Sequence, residues 1–147
     1  MASLFYNVCT THALLSRVKI AMARILVADD DPEIRELIIS CLSLAGHEVI
    51  EAANGLEAVE AFRVHHPDLV IIDLVMPVQE GIETILELRR EFPTILIAAM
   101  SGYGRTDGTS YLNCARELGA DVILSKPFQM RELNGLVEKT LDALIIR

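Results

Sequence analysis

The sequence contains no tryptophan, few aromatic residues and few cysteines, and each scarcity narrows its interpretation. Only 5% of the residues are aromatic whereas 52% are hydrophobic, which predicts a folded core built mainly from Leu, Ile, Val and Ala. The three cysteines, Cys9, Cys41 and Cys114, are odd in number and far apart. They form no C-x-x-C pair, so we expect neither a zinc site nor a disulfide framework, and a reducing compartment fits best.

Positive charge is also scarce. Thirteen Lys and Arg residues face 21 Asp and Glu residues, which gives a net charge of -8. We therefore expect no direct binding to nucleic acid, because polyanions bind to basic surfaces. No apolar run approaches the roughly 20 residues that span a bilayer, and the first basic residue, Arg17, comes too late for a signal peptide. These absences predict a cytoplasmic protein that does not enter a membrane.

The length of 147 residues fits a single domain. We expect this domain to occupy residues 24–147, after an N-terminal extension over residues 1–23. Three interpretations of the extension stay open: a disordered tail, an extra helix over 13–23, or a misassigned start, since Met22 stands directly before the first predicted strand.

From Arg24 onward, short apolar runs alternate with segments whose apolar residues recur at helical spacing. This alternation predicts a parallel sheet with helices on both faces. The five predicted strands cover 24–28, 47–52, 68–73, 94–100 and 121–125. Asp31 followed by Pro32 predicts a capped start for the first helix. Five such units match an α/β, flavodoxin-like, doubly wound (βα)5 fold with strand order 2-1-3-4-5.

Polar residues stand at the ends of four of the predicted strands. They are Asp29, Asp30 and Asp31 after the first, Asp73 at the end of the third, Ser101 after the fourth and Lys126 after the fifth. In the predicted fold these four strands end side by side, where the ligands of doubly wound sheets bind. Clustered carboxylates repel one another, which favours a hard divalent cation such as Mg²⁺.

Acids, a metal, a lysine and a hydroxyl together are typical of phosphoryl transfer to a carboxylate. Lys126 offers a mobile positive charge, and Ser101 offers a hydroxyl that can donate to an oxyanion. Asp73 is the best candidate for the nucleophile, because it stands alone at the end of the central strand and faces the acidic group and the lysine.

Four segments at these strand ends give the chain a resemblance to the receiver domains of two-component response regulators. In chain order they are ILVADDDPEIREL, PDLVIIDLVMP, AAMSGY and VILSKPF, and the resemblance covers about residues 24–146. It implies a phospho-acceptor signalling protein rather than an enzyme. Because little chain remains for an output domain, we expect a stand-alone, single-domain response regulator.

The resemblance also implies roles for individual residues. Asp73 would accept a phosphoryl group from a histidine kinase or a histidine phosphotransfer protein. Asp30, Asp73 and the backbone carbonyl of Val75 would bind Mg²⁺, and Asp29 would contribute through water.

After transfer, Ser101 and Lys126 would hold the phosphoryl oxygens. The pull on Ser101 would change the surface around the fourth helix, the fifth strand and the fifth helix, and a separate downstream protein would respond to it. A phosphorylation-dependent dimer stays open. Ile123 stands where receiver domains often carry Tyr or Phe, so we do not expect an aromatic switch residue there. The stretch after Ser101, rich in Gly and polar residues, predicts a mobile loop.

Two alternatives stay open. A receiver-like interaction module that accepts no phosphate would keep the fold, although the complete set of polar residues at the strand ends argues against it. A haloacid-dehalogenase-like phosphatase also uses an aspartate nucleophile, and Asp29-x-Asp31 fits its opening motif. However, Glu33 stands where that family requires Thr or Val.

Overall fold

Along the described chain, five β-strands alternate with five α-helices. The structure is a computed structural model that describes residues 22–102 and 108–145, the first five residues of the second range by their backbone alone. The strands are β1 (Arg24–Ala28), β2 (Glu48–Ala52), β3 (Leu69–Asp73), β4 (Leu96–Gly102) and β5 (Val122–Lys126). The helices are α1 (Pro32–Leu44), α2 (Gly55–His65), α3 (Gly81–Glu91), α4 (Gly108–Glu117) and α5 (Met130–Ile145). Residues 1–21 of the predicted extension and 103–107 of the predicted mobile loop lie outside the described residues.

The five strands form one parallel sheet in the order β2-β1-β3-β4-β5, which confirms the predicted flavodoxin-like fold. The central strand is β3, in which Ile72 pairs with Ala28 of β1 and with Ala99 of β4. Because the strands are parallel, their carboxyl ends meet at one edge of the sheet, where doubly wound folds bind their ligands.

Two apolar layers cover the sheet, one on each face. Every residue of β3 is buried, and alternate side chains enter opposite layers: Val70 and Ile72 pack with α2, α3 and α4, whereas Leu69 and Ile71 pack with α1 and α5. Burial of each large aliphatic side chain contributes roughly 1.5–3 kcal/mol, so the strand ends are held on a rigid base. Among the described helices, none is both long and apolar enough to cross a bilayer.

Two strands extend further toward the carboxyl edge than predicted. The predictions ended β4 at residue 100 and β5 at residue 125, but the ladder continues, with Ser101 paired to Ser125 and Gly102 paired to Lys126. Ser101 and Lys126 are therefore strand residues and not loop residues. The amino-acid composition did not predict these longer strands. Glycine and polar residues have low strand propensity, but pairing with a neighbouring strand can still hold them in the sheet.

Helix α1 begins with a side-chain cap, as predicted. The Asp31 carboxylate accepts hydrogen bonds from the main-chain N–H groups of Glu33 at 2.9 Å and Ile34 at 3.4 Å, and Pro32 occupies the first helical position. Such a cap typically stabilises a helix by about 1 kcal/mol. Asp31 is thus engaged by its own helix, which distinguishes it from its neighbour Asp30.

Gly81 begins α3 in close contact with the end of β3. A Cβ atom added there would lie 2.3 Å from the main-chain oxygen of Asp73 and 2.5 Å from the Cα of Leu74. The Gly81 N–H also donates to the Leu74 carbonyl at 3.1 Å. Only glycine therefore lets α3 approach the strand that carries Asp73 this closely.

We expect Gly81→Ala to lower the free energy of unfolding by about 3 kcal/mol, because a methyl group would force the backbone apart. Gly135 in α5 is the matched control, since an added Cβ there meets nothing within 4 Å. Gly135→Ala should raise stability by about 0.5–1 kcal/mol through helix propensity. Urea denaturation of both variants measures the difference, and similar effects of the two would refute the close-packing explanation.

Candidate functional site

The carboxyl edge of the sheet collects polar side chains from four strands. Asp29 directly follows β1, Asp73 ends β3, Ser101 lies near the end of β4 and Lys126 ends β5. These residues are far apart in sequence, and the parallel sheet order brings them to one place.

Three carboxylates form a cluster at this edge. Asp29, Asp30 and Asp73 each present a carboxylate oxygen, and these oxygens lie within 4.8 Å of one another. Asp29 and Asp73 are buried, whereas Asp30 is exposed. Acidic oxygens at this spacing repel one another unless a cation lies between them. A set of hard oxygen donors with one side open to solvent suits Mg²⁺, which binds a few carboxylates and keeps several waters.

Asp29 is anchored through its side chain and its main chain. One carboxylate oxygen accepts the N–H of Asp31 at 3.0 Å, and the other accepts Nζ of Lys126 at 2.6 Å. Its main-chain N–H donates to the carbonyl of Ala52 at 3.2 Å, and its carbonyl accepts from Arg35 at 2.8 Å. Asp29 is therefore fixed in place, and its charge is compensated mainly by Lys126.

Asp73 is buried and is held by two donors. Its Oδ1 accepts the N–H of Val75 at 3.1 Å, and its Oδ2 accepts Nζ of Lys126 at 3.1 Å. Burial raises the pKa of Asp73, and the charge of Asp29 raises it further, against the opposing effects of Lys126 and of the Val75 N–H. The ionised form is thus incompletely compensated, which favours reaction with, or binding of, an electrophilic partner.

Lys126 bridges the two buried acids. Burial lowers the pKa of its ammonium group, but the hydrogen bond to Asp29 and the charges of Asp73 and Asp29 outweigh burial, so that the net pKa is raised. The side chain therefore stays protonated. A lysine that bridges two carboxylates can give up its bond to one of them. Its ammonium group can then bind another anion in the same place.

Ser101 and Val75 are placed beside this network but differ in their contacts. Ser101 is buried on β4, one residue beyond Met100, which pairs with Asp73. It takes no part in the hydrogen bonds between Lys126 and the acids. Val75 contributes its N–H to Asp73. The structure thus brings Asp29, Asp30, Asp73 and Lys126 together and places Ser101 and Val75 at the same edge.

Arg35 is a residue of this neighbourhood that the sequence analysis missed. Its guanidinium group donates to the main-chain carbonyl of Asp29 and to the carboxylate of Glu51 at 3.0 Å. In the sequence, Arg35 has the pattern of an ordinary charged residue on a helix, so no signal indicated this contact.

An apolar cavity of about 330 Å³ adjoins the site. It is lined by Ile34 and Leu37 of α1 and by Pro127 and Phe128 after β5, with Lys126 at its side. Leu37 is 54% exposed, so part of the lining of this cavity faces solvent. The surface beside Asp73 therefore offers apolar area for contact with another molecule.

Comparison with known proteins agrees with this geometry. A family model described as the response regulator receiver domain matches residues 25–138. The chain is 40% identical over 120 residues to a probable transcriptional regulator, ycf27, of Porphyridium aerugineum, which is 80% of this chain and 48% of that protein. It is 33% identical over 118 residues to sporulation initiation phosphotransferase F of Bacillus subtilis, 80% of this chain and 93% of that protein.

The chain thus spans about half the length of the ycf27 relatives that it matches. Among solved structures, a response regulator receiver domain protein from Clostridium thermocellum superposes with a TM-score of 0.78 at 26% identity, covering 84% of this chain and 98% of that chain. The chain therefore belongs to the response regulator receiver domain family, whose members act in two-component phosphorelay signalling.

Proposed function

We propose that this chain accepts a phosphoryl group on Asp73 from a histidine kinase or a histidine phosphotransfer protein, in a reaction that requires Mg²⁺. The observation that carries the proposal is the position of the Asp73 carboxylate, which lies within 4.8 Å of two further carboxylates and 3.1 Å from Lys126. A nucleophile, a cation site and a mobile positive charge are what phosphoryl transfer to a carboxylate requires.

The proposal assigns the cation to Asp30, Asp73 and the backbone carbonyl of Val75, with Asp29 contributing through water. The exposed carboxylate of Asp30, beside the buried Asp73, supports this division. When bound, Mg²⁺ would neutralise the acids and the incoming phosphoryl oxygens. Asp29 would mainly position the site, since its carboxylate oxygens already accept from Asp31 and Lys126.

In the transfer step, a carboxylate oxygen of Asp73 attacks phosphorus as the bond from phosphorus to the donor histidine nitrogen breaks. The imidazole leaves with the electron pair of that bond and takes up a proton from solvent. Lys126 then moves its hydrogen bond from Asp73 to a phosphoryl oxygen and keeps its bond to Asp29. The hydroxyl of Ser101 donates to a second phosphoryl oxygen. The reaction is a self-catalysed modification of the chain rather than turnover of a substrate.

We propose that the donor protein docks on the apolar cavity beside Lys126. Its exposed Leu37 and its position next to the carboxyl edge of the sheet support this choice. A donor histidine must come within bonding distance of Asp73, so the donor has to cover the surface around that residue.

The proposed output is a change in protein contacts that starts at Ser101. Movement of its hydroxyl toward the phosphoryl group would bias the end of β4 and the helix that follows. Residues 24–147 would form the receiver domain and a separate protein would respond to it. The similarity to a Bacillus subtilis protein named as a phosphotransferase, 93% of which the match covers, supports a role in phosphoryl transfer for this domain.

Incubation with phosphoramidate tests the proposed function. This small donor carries a bond between phosphorus and nitrogen, as phosphohistidine does, and needs no cognate kinase. We expect intact mass spectrometry to show a gain of one phosphoryl group with Mg²⁺ and none after EDTA treatment. No gain would support a module that accepts no phosphate, and continuing hydrolysis of small phosphate esters would support a phosphatase.

A further inference from the structure

Arg35 connects α1 with the ends of two strands. Its guanidinium NH1 donates to the main-chain carbonyl of Asp29 at 2.8 Å, and its Nε donates to Oε2 of Glu51 at 3.0 Å. The Arg35 side chain is 17% exposed, whereas that of Glu51 is 63% exposed. A largely buried cation therefore holds a main-chain oxygen at the point where the acidic loop leaves β1.

The Asp29 carbonyl depends on this contact. Asp29 follows the last residue of β1, and its N–H still bonds to the carbonyl of Ala52 in β2. Its carbonyl is bound by the side chain of Arg35. Two further hydrogen bonds stabilise the turn. The N–H of Asp31 donates to the Asp29 carboxylate, and the N–H of Arg35 in α1 donates to the carbonyl of Asp31. Arg35 thus closes a small ring of hydrogen bonds around Asp30.

Arg35 acts on the acid cluster without occupying any of its carboxylates. Lys126 binds the carboxylate oxygens of Asp29 and Asp73 and would compete with a metal for them. Arg35 instead binds a main-chain oxygen, and much of its own charge is balanced by Glu51. It can therefore fix the geometry of the loop without itself occupying a carboxylate oxygen of the cluster.

We propose that Arg35 is a positioning residue for the divalent cation: by holding the Asp29 carbonyl, it keeps the carboxylates of Asp29 and Asp30 within reach of Asp73. This inference rests on the proposed Mg²⁺-dependent function. It predicts that loss of the guanidinium group weakens cation binding even though the residue does not contact the cation.

The first test is an NMR titration with Mg²⁺ of the full-length wild type, Arg35→Gln and Arg24→Gln. Arg24 is a matched control at the opposite edge of the sheet. Its Nε donates to Oε2 of Glu48 at 3.0 Å and its NH1 donates to the carbonyl of His65 at 2.9 Å. We expect Arg35→Gln to raise the dissociation constant about tenfold, the lower end of the range for residues that orient metal ligands. Arg24→Gln should change it by less than about twofold, because it leaves the acidic loop intact.

The second test separates positioning from general stability. In phosphoramidate uptake, Arg35→Gln should raise the Mg²⁺ concentration for half-maximal rate about tenfold, with the maximal rate within about twofold of wild type. Amide hydrogen exchange without metal should be faster at Asp31 and unchanged at Ile71 in the core. Glu51→Gln removes charge from an exposed residue, keeps the fold, and should shift the Mg²⁺ dependence in the same direction by about threefold.

The proposal is overturned if Arg35→Gln binds Mg²⁺ as tightly as wild type, or if Arg24→Gln weakens binding equally. Lower maximal uptake at saturating Mg²⁺ with an unchanged dissociation constant would also overturn it. If the wild-type chain binds no Mg²⁺, the proposed function itself is refuted. The titration of the wild type alone shows this, so the two failures are distinguishable.

Discussion

We expect an Asp73→Asn variant to take up no phosphoryl group from phosphoramidate, under conditions in which the wild-type chain gains one. Asparagine keeps the shape of the side chain and can still accept from Lys126 through its amide oxygen. It lacks the anionic oxygen that attacks phosphorus. The measurement is intact mass after incubation with donor and Mg²⁺, and a phosphoryl group on this variant would contradict the assignment of Asp73.

Asp68→Asn provides the control for this loss. Asp68 directly precedes β3, at the opposite end of the strand that carries Asp73, and its carboxylate accepts the N–H of Arg24 at 2.8 Å. The substitution removes the same charge as Asp73→Asn, but at the amino end of β3 and away from the acid cluster. We expect uptake at the wild-type rate, and an equal loss in both variants would mean that uptake depends on charge rather than on position.

The same Asp73→Asn variant should be more stable than wild type at neutral pH. Burial and the neighbouring Asp29 raise the pKa of Asp73 above its ordinary value of 3.8. A group with a raised pKa in the folded state stabilises the fold below its unfolded pKa, and this contribution is lost as pH rises through the folded pKa. Ionised Asp73 therefore costs stability at pH 7, and asparagine removes that cost.

We expect a gain of about 1 kcal/mol in the free energy of unfolding at pH 7 without Mg²⁺, the usual size of relief at a strained functional site. The gain should shrink as the pH falls toward about 4, where Asp73 becomes protonated in both states. Urea denaturation at both pH values measures it. A less stable variant would contradict this explanation. Unfolding of the variant could then also account for its loss of phosphoryl uptake.

Asp30→Asn should have the largest effect on cation binding. Asp30 is the exposed member of the three-carboxylate cluster, and an amide oxygen is a weaker ligand for Mg²⁺ than a carboxylate. Loss of a residue that merely orients ligands costs 10- to 100-fold in affinity, so we expect roughly 100-fold for a direct ligand. Isothermal titration calorimetry measures the change, and phosphoryl uptake at low Mg²⁺ should fall with it.

The neighbouring Asp31 offers a control that differs by one position. Asp31→Asn removes the same charge from the same loop, but the Asp31 side chain caps α1 and asparagine caps helices about as well as aspartate. We expect Mg²⁺ affinity within about threefold of wild type, since only long-range charge is lost. A fall in affinity equal to that of Asp30→Asn would show that the loop attracts the cation by general charge and holds it at no particular residue.

The acid cluster and Lys126 were predictable because parallel strands bring their carboxyl ends to one edge. Four short segments with polar residues at their ends therefore predicted one site, and Asp31 next to Pro32 predicted a helix cap. The ends of β4 and β5 were not predictable from composition. Pairing of Ser101 with Ser125 and of Gly102 with Lys126 extends these strands through residues that are common in loops.

Arg35 and Gly81 show why other parts of the site could not be predicted. In a helical pattern Arg35 is indistinguishable from an exposed charge, and its contact with the Asp29 carbonyl depends on how closely α1 lies to the end of β1. The need for glycine at position 81 depends on the approach of α3 to the Asp73 main chain. Both features depend on the distances between helices and strands. Periodicity and motifs predict where the helices and strands lie in the sequence, but not how closely they pack.

Mapping of the modified residue tests the central claim most directly. Wild-type chain treated with phosphoramidate and Mg²⁺ should carry a single phosphoryl group that hydroxylamine removes, as expected of an acyl phosphate, and tandem mass spectrometry should locate it on Asp73. A hydroxylamine-resistant group, a group on a serine, threonine or histidine, or no group at all would contradict the account.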